Sequence, residues 1–164
     1  LTYPNVGNLV LENECLVSCT PMGVMELLDM YNVSLKGKNA CIVGRSNLVG
    51  KPLIQLLLAR DATVSICHSK SLDIKSYTKM ADVLIVAAGH PNLITKDMVK
   101  EGAVVIDVGI HRNEQNKLCG DVDFDSVEPV CSAITPVPGG VGPMTIAMLM
   151  NNCLESVSLQ AARG

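Results

Sequence analysis

From Lys36 onward, short β-branched and aliphatic runs alternate with segments whose apolar residues recur at helical spacing. "NACIVG" reads as a first strand ending at Gly44, and "LVGKPLIQLLLA" then sets Val49, Leu53, Leu56 and Leu57 on one helical face. The alternation continues with strand "ATVSIC", a short helix in "LDIKSYTKM" and strand "DVLIVAAG". A short helix in "TKDMVKEG", ending at Gly102, and strand "AVVIDVG" complete it. These strand runs are nearly continuous in Val, Ile, Leu and Ala, as strands buried on both faces require. Short connections between strands and helices imply a parallel sheet with right-handed crossovers. The expected fold class is α/β, a doubly wound parallel sheet with a flanking linker helix and a terminal helix.

After Gly109 the rhythm changes. "IHRNEQNKLCGD" is polar with a turn-like centre and reads as a hairpin or arm. "SAITPVP" offers a last short strand, and "GPMTIAMLMNNCLESVSLQ" a terminal helix with Pro143 in its first turn. Before Lys36, "CTPMGVMELLDMYN" predicts a helix with Thr20 as N-cap and Pro21 at the first helical position. Val24, Leu27, Leu28 and Tyr31 form its apolar face. The chain therefore divides into residues 1–35, a fragment plus linker helix outside the sheet unit, and residues 36–164, the sheet unit with its C-terminal helix. The opening "LTYPNV" has no initiator methionine, so the natural N-terminus is expected upstream.

Composition narrows the function classes. At 164 residues there is room for one domain with a core and a piece of another. The longest apolar run, Val83 to Ala88, is strand length and far below the roughly 18 residues of a membrane span. A net charge of −3 with interspersed signs argues against nucleic acid or an anionic membrane as partner. One Phe, three Tyr and no Trp leave little for stacking on bases. Seven scattered cysteines without a C-x-x-C pair suit a reducing compartment, and a cytoplasmic location is expected.

The chemistry concentrates in two glycine-bearing stretches. "CIVGRSNLVG" joins a buried strand to a helix start, where unpaired N–H groups and the helix dipole favour an anion. The spacing is G-x-S-x-x-x-G rather than the dinucleotide fingerprint G-x-G-x-x-G, with Ser46 in place of the second glycine. Gly44 permits a tight turn and Gly50 close packing of helix on strand. The Ser46 hydroxyl can bond a phosphate or cap the helix. NAD-selective domains carry an acid at the end of the second strand, about 20 residues on. Here that strand ends "ICHSKS", with Ser69 between His68 and Lys70 and no acid, while Arg45 stands in the first turn. A guanidinium can grip phosphate oxygens by two hydrogen bonds, so this set favours NADP. Taken singly, Arg45 and Lys70 are equally readable as solvated surface charges. "TPVPGGVGPMT" (135–145) packs three prolines and three glycines into a loop whose backbone can approach a flat ligand; the plain alternative is a rigid connector.

Metal and hydrolase readings fall away. Asp121, Asp123 and Asp125 of "DVDFD" are spaced like the start of a calcium loop. Ser126 holds its required glycine position, however, and Ser132 that of its closing glutamate. His68, His90 and His111 are isolated, and no G-x-S-x-G elbow or Walker lysine motif is present.

Taken together, "VGRSNLVGKP", "TVSICHSKS", "VIDVGI", "GDVDF" and "ITPVPGGVGPMT" resemble the bifunctional methylenetetrahydrofolate dehydrogenase/methenyltetrahydrofolate cyclohydrolase family, from "NVGNL" at Asn5 through the terminal helix. The resemblance implies a Rossmann-like domain in which Gly44, Arg45 and Ser46 hold NADP, Ser69 lies near its 2′-phosphate and Ile110 beside the nicotinamide. It implies that Pro138, Gly139, Gly140, Val141 and Gly142 line the folate side of the cleft. The reaction implied is oxidation of 5,10-methylenetetrahydrofolate by NADP, then hydrolysis of the methenyl product to 10-formyltetrahydrofolate. A homodimer is also implied, the arm from His111 to Cys119 pairing across a two-fold axis.

The sequence departs from the family pattern in one respect. The family's catalytic Y-x-x-x-K lysine and the aspartate of its D-V-D-G turn have no counterpart, Tyr31 being followed at that spacing by Leu35 and Tyr77 by Ala81. No catalytic residue is therefore assigned, and the chain alone is expected to bind dinucleotide with little or no turnover. The alternatives are a non-catalytic dinucleotide-binding or dimerisation module and an unrelated NADP oxidoreductase.

Overall fold

Alternate residues of each central strand face opposite sides of one sheet, and both sides are buried. The computed structural model describes residues 2–113 and 115–161. Along the chain come α1 (Tyr3–Val10), α2 (Cys19–Met30), β1 (Asn39–Val43), α3 (Gly50–Leu58), β2 (Thr63–Cys67), α4 (Ile74–Thr78) and β3 (Val83–Val86). There follow β4 (Val104–Asp107), β5 (His111–Arg112), β6 (Leu118–Cys119), α5 (Phe124–Val127), β7 (Ala133–Ile134) and α6 (Val141–Ala161). Strands β2-β1-β3-β4-β7 form one sheet in that order, every pairing parallel, and β5–β6 is a separate antiparallel hairpin. This is the Rossmann-like α/β sheet expected from the alternation.

Period-two burial builds two cores. Ala40, Ile42, Val83, Ile85 and Ile106 pack on one face with Leu53 and Leu57 of α3 and Val24, Met25 and Leu28 of α2. Cys41, Val43, Leu84, Val86 and Val105 pack on the other with Val99, Val122 and Val127. The helix α2 thus shares a core with the sheet, across the boundary at 35/36 drawn from the sequence. Gly23 lets α6 close on it: a Cβ there would sit 2.8 Å from the Met144 Cβ. Thr20 Oγ1 and Thr145 Oγ1 meet at 3.0 Å beside this contact.

Some local expectations change. The cap residue of α2 is Ser18, not Thr20, whose hydroxyl is engaged by Thr145. Tyr31 lies past the helix end and is exposed, so the apolar face ends at Leu28. "TKDMVKEG" yields only a 3-10 turn at Lys96–Met98, because Ile94 bridges to Val122 and Val99 returns to extended backbone with its side chain buried. The initial fragment contains α1, and the "DVDFD" stretch opens into α5.

Candidate functional site

Because the five strands are parallel, their carboxyl ends share one edge, and the connections after β1, β2, β3, β4 and β7 all gather there. In open α/β sheets ligands bind outside this edge, where successive crossovers diverge to opposite sides. Here that point lies between β1 and β3, since β2 flanks β1 on one side and β3 on the other.

At the β1–β2 corner Val43 pairs with Cys67, and Gly44 N donates to Cys67 O at 2.8 Å. Gly44 has φ +127°, and a Cβ there would stand 2.1 Å from Ala87 O. A Cβ on Gly50 would stand 2.1 Å from Gly44 O, so the start of α3 is pressed against the turn. Both glycines are obligatory for this approach. Between them Arg45, Ser46, Asn47 and Leu48 are exposed, and among the described residues their backbone N–H groups have no protein partner. Ser46 Oγ accepts from Val49 N at 3.1 Å, and its carbonyl accepts from Lys51 N at 3.0 Å. That bond closes the turn ahead of α3; the cap residue of the helix is Val49, and no side chain caps it among the described residues.

Arg45 stands two residues beyond Val43, and Ser69 two residues beyond its register partner Cys67. Both are exposed, and among the described residues neither side chain has a protein partner. His68 shapes this exit: its N donates to Ser71 Oγ at 3.0 Å and its Nδ1 accepts from Lys70 N at 3.1 Å. The next acid along, Asp73, is committed to capping α4 through Ser76 N at 3.2 Å.

The β3–β4 corner is organised by two buried carboxylates. Asp107 ends β4 and accepts from Gly109 N (2.9 Å), Asp121 N (3.0 Å) and Val122 N (2.9 Å). Burial pushes its carboxyl above the usual range, helped by the nearby Asp121 carboxylate, against the downward pull of those three amides. Asp121, fully buried, accepts from Ala88 N (2.6 Å) and Gly89 N (2.9 Å) through one oxygen and lies 2.6 Å from His111 Nε2 through the other. Two glycines make room: a Cβ on Gly109 would stand 2.4 Å from Asp121 Oδ1, and one on Gly120 would overlap the Asp107 carboxylate. Thr135, just past β7, accepts from Asp107 N at 2.8 Å through its hydroxyl, which in turn donates to Asp107 O at 3.5 Å.

Thr135 opens the proline/glycine loop. Pro138 follows a cis peptide bond and is exposed, as are Gly139 (φ +100°) and Gly142. Gly140 is buried, where a Cβ would meet Pro136 O at 2.5 Å. Val141 is 4% exposed and belongs to the core, so only its backbone faces the edge. Ile110, after β4, is 64% exposed. The structure thus gathers Gly44, Arg45, Ser46 and Ser69 at one corner, with Ile110 and residues 138–142 following β4 and β7 on the same edge.

The sequence reading missed Asp107, Asp121, His111 and Thr135 as parts of this edge. The available signal was an acid closing a wholly apolar strand in "VVID". A groove of about 800 Å³ lies elsewhere, bordered by α1, α3 and α6. Glu12, Glu14 and Glu155 line it, which makes it unsuited to a phosphate.

Comparison with known proteins agrees with this geometry. A Bifunctional protein FolD of Agathobacter rectalis is 58% identical over 153 residues, 93% of this chain and 55% of that protein. The crystal structure of the bifunctional enzyme FolD, methylenetetrahydrofolate dehydrogenase/cyclohydrolase, from Campylobacter jejuni has a TM-score of 0.94 and 54% identity, covering 96% of this chain and 56% of its own. The methylenetetrahydrofolate dehydrogenase-cyclohydrolase of Trypanosoma brucei, complexed with NADP cofactor and inhibitor, has a TM-score of 0.90 and 38% identity, covering 99% and 58%. The chain spans about half the length of the curated relatives it matches. Residues 18–161 match the family described as Tetrahydrofolate dehydrogenase/cyclohydrolase, NAD(P)-binding domain, and the chain belongs to that family.

Proposed function

We propose that this chain is the cofactor-binding portion of an NADP-dependent methylenetetrahydrofolate dehydrogenase that also hydrolyses the methenyl product to 10-formyltetrahydrofolate. The observation that carries the choice of cofactor is the pairing of Arg45 with Ser69, each two residues beyond paired strand ends, with the nearest acid engaged elsewhere. An extra phosphate placed there meets a guanidinium and a hydroxyl. The free N–H groups of residues 45–48 fit the negative charge of the dinucleotide, and the Gly44–Gly50 approach leaves space that a Cβ would fill.

NADP held by these residues would supply the hydride acceptor for oxidation of the folate methylene bridge. The residues of this chain hold and orient: the glycine turn and Arg45 fix one half of the cofactor. Ile110 borders the nicotinamide end, and the backbone of Pro138, Gly139, Gly140, Val141 and Gly142 borders the space for the folate. Alignment of two reactants is the contribution asked of this half. With no Y-x-x-x-K pair among these residues, the chain alone binds cofactor with little or no turnover. Residues 1–35 belong on this reading to the end of a catalytic domain and its linker. The exposed Ile146, Leu149, Met150, Leu154 and Val157 of α6 support it, because such a stripe needs a cover.

The β5–β6 hairpin stands outside the main sheet and supports a homodimer built through this arm; Glu114 within it lies outside the described residues. The free cysteines support a cytoplasmic setting. The test is calorimetric titration of the chain with NADP and NAD. Preference for NADP supports the reading, and equal affinity for the two overturns the 2′-phosphate assignment.

A further inference from the structure

We propose that Asp121 is a positioning residue for the nicotinamide half of the cofactor, a role that rests on the NADP reading above. With the 2′-phosphate at the β1–β2 corner, the dinucleotide crosses the divergence point and its other half lies over the ends of β3 and β4. The segments after those strands are 87–91 and 108–111. Asp121 bonds both: it takes Ala88 N and Gly89 N from the first and His111 Nε2 from the second, while its own N is held by Asp107 Oδ1.

Asp121 is fully buried and its carboxylate oxygens are engaged within the protein, so it acts through the segments it holds. Gly89 has φ +74°, a conformation with little intrinsic preference to persist in an open connection. A carboxylate receiving two consecutive N–H groups fixes it. Gly109 is held as closely, since its Cα leaves room for the carboxylate and for nothing more. The connection after β3 and the one bearing Ile110 are thereby set in one mutual geometry by a single side chain that arrives from the far end of the hairpin. The predicted division of labour is sharp: Arg45 governs affinity for the phosphate end, and Asp121 governs what the nicotinamide end adds.

The experiment compares the chain's affinity for NADP with its affinity for adenosine 2′,5′-bisphosphate, which lacks the nicotinamide half. Wild type, Asp121→Ala and Asp121→Asn are titrated by calorimetry, with folding checked by circular dichroism. Asp121→Ala leaves two N–H groups unpaired and is expected to lose roughly tenfold in NADP affinity while binding the bisphosphate as wild type does. Asp121→Asn is expected to recover most of that loss, because its carbonyl still accepts both N–H groups and its amide can donate to the other tautomer of His111. Should Asp121→Ala fail to fold, Asp121→Ser, too short to reach the two N–H groups but able to admit water, serves in its place. Equal weakening of both ligands, or of neither, overturns the positioning role and leaves the NADP reading intact. Failure of the wild type to bind either ligand overturns both.

Discussion

The two corners of the carboxyl edge solve opposite problems. At the β1–β2 corner the polar groups are left open: four backbone N–H groups, the Arg45 guanidinium and the Ser69 hydroxyl face solvent among the described residues. At the β3–β4 corner the polar groups are closed on one another, with Asp107 and Asp121 absorbing five backbone N–H groups and a histidine ring nitrogen. Open donors gain most from an anion, because water is exchanged for a charged acceptor. Closed donors gain nothing from a ligand but hold backbone in place, and buried carboxylates without such partners would be costly. One corner recognises charge and the other supplies a fixed surface.

The largest expected effect comes where the corners touch. Gly44→Ala puts a Cβ against Ala87 O, the residue that leads into the closed corner, at a φ that L residues rarely adopt. A loss of about 3 kcal/mol or more in unfolding free energy is expected from chemical denaturation. Both corners should be damaged together, and a stable Gly44→Ala protein would show them to be independent.

Arg45→Ala addresses the open corner alone. NADP affinity is expected to fall about 30-fold, the equivalent of one charge-assisted contact, while NAD affinity and unfolding stability stay unchanged. Calorimetry with both cofactors reads this directly. Loss of NAD binding to the same extent would mean that the side chain holds the turn rather than the extra phosphate.

The closed corner is read by pH. Asp107 titrates higher in the folded chain than in the unfolded one, so between those two values the folded state holds more protons. Stability contributed by this group therefore falls as pH rises through that window, which opens at the ordinary aspartate value and closes at the raised folded one, and is constant beyond it. Asp107→Asn should flatten that segment of the pH profile while lowering the unfolding free energy everywhere by about 1–2 kcal/mol, since one of three N–H groups then faces an amide. A profile unchanged in shape would place the titration elsewhere.

The smallest effect is a control remote from both corners. Arg60 grips Asp29 through two hydrogen bonds of 2.9 and 2.8 Å, and this holds the Asp29 carboxyl below its usual range. That contribution is present above the unfolded pKa and is lost as pH falls through the folded one. Both side chains are over two-fifths exposed, so Arg60→Ala should cost only about 0.5 kcal/mol, less at high salt, with cofactor affinity untouched.

Much of this architecture was legible in the chain. The unbroken apolar runs at "ACIV", "VLIV" and "VVI" marked the central strands, and the 3.6-residue recurrence of Leu53 and Leu57 marked α3. The open corner was legible too, because its chemistry lies in two short stretches that end adjacent strands. The weakest readings were of elements fixed by distant contacts. Thr20 gave up its capping role to Thr145, and "TKDMVKEG" lost helix to a bridge between Ile94 and Val122.

The sequence by itself determined the strand–helix alternation, the glycine turn, the absence of an acid in "ICHSKS" and the family resemblance. Each is written in neighbouring residues, where periodicity, turn geometry and residue chemistry act locally. Only the tertiary structure decided that "DVDFD", rejected as a calcium loop, delivers Asp121 beneath the end of β3, and that Asp107 closes β4 by receiving the hairpin's return. The partners of these carboxylates lie as many as 33 residues away. No local pattern encodes such a bond, because its energy exists only after the sheet has excluded water and brought the two segments together.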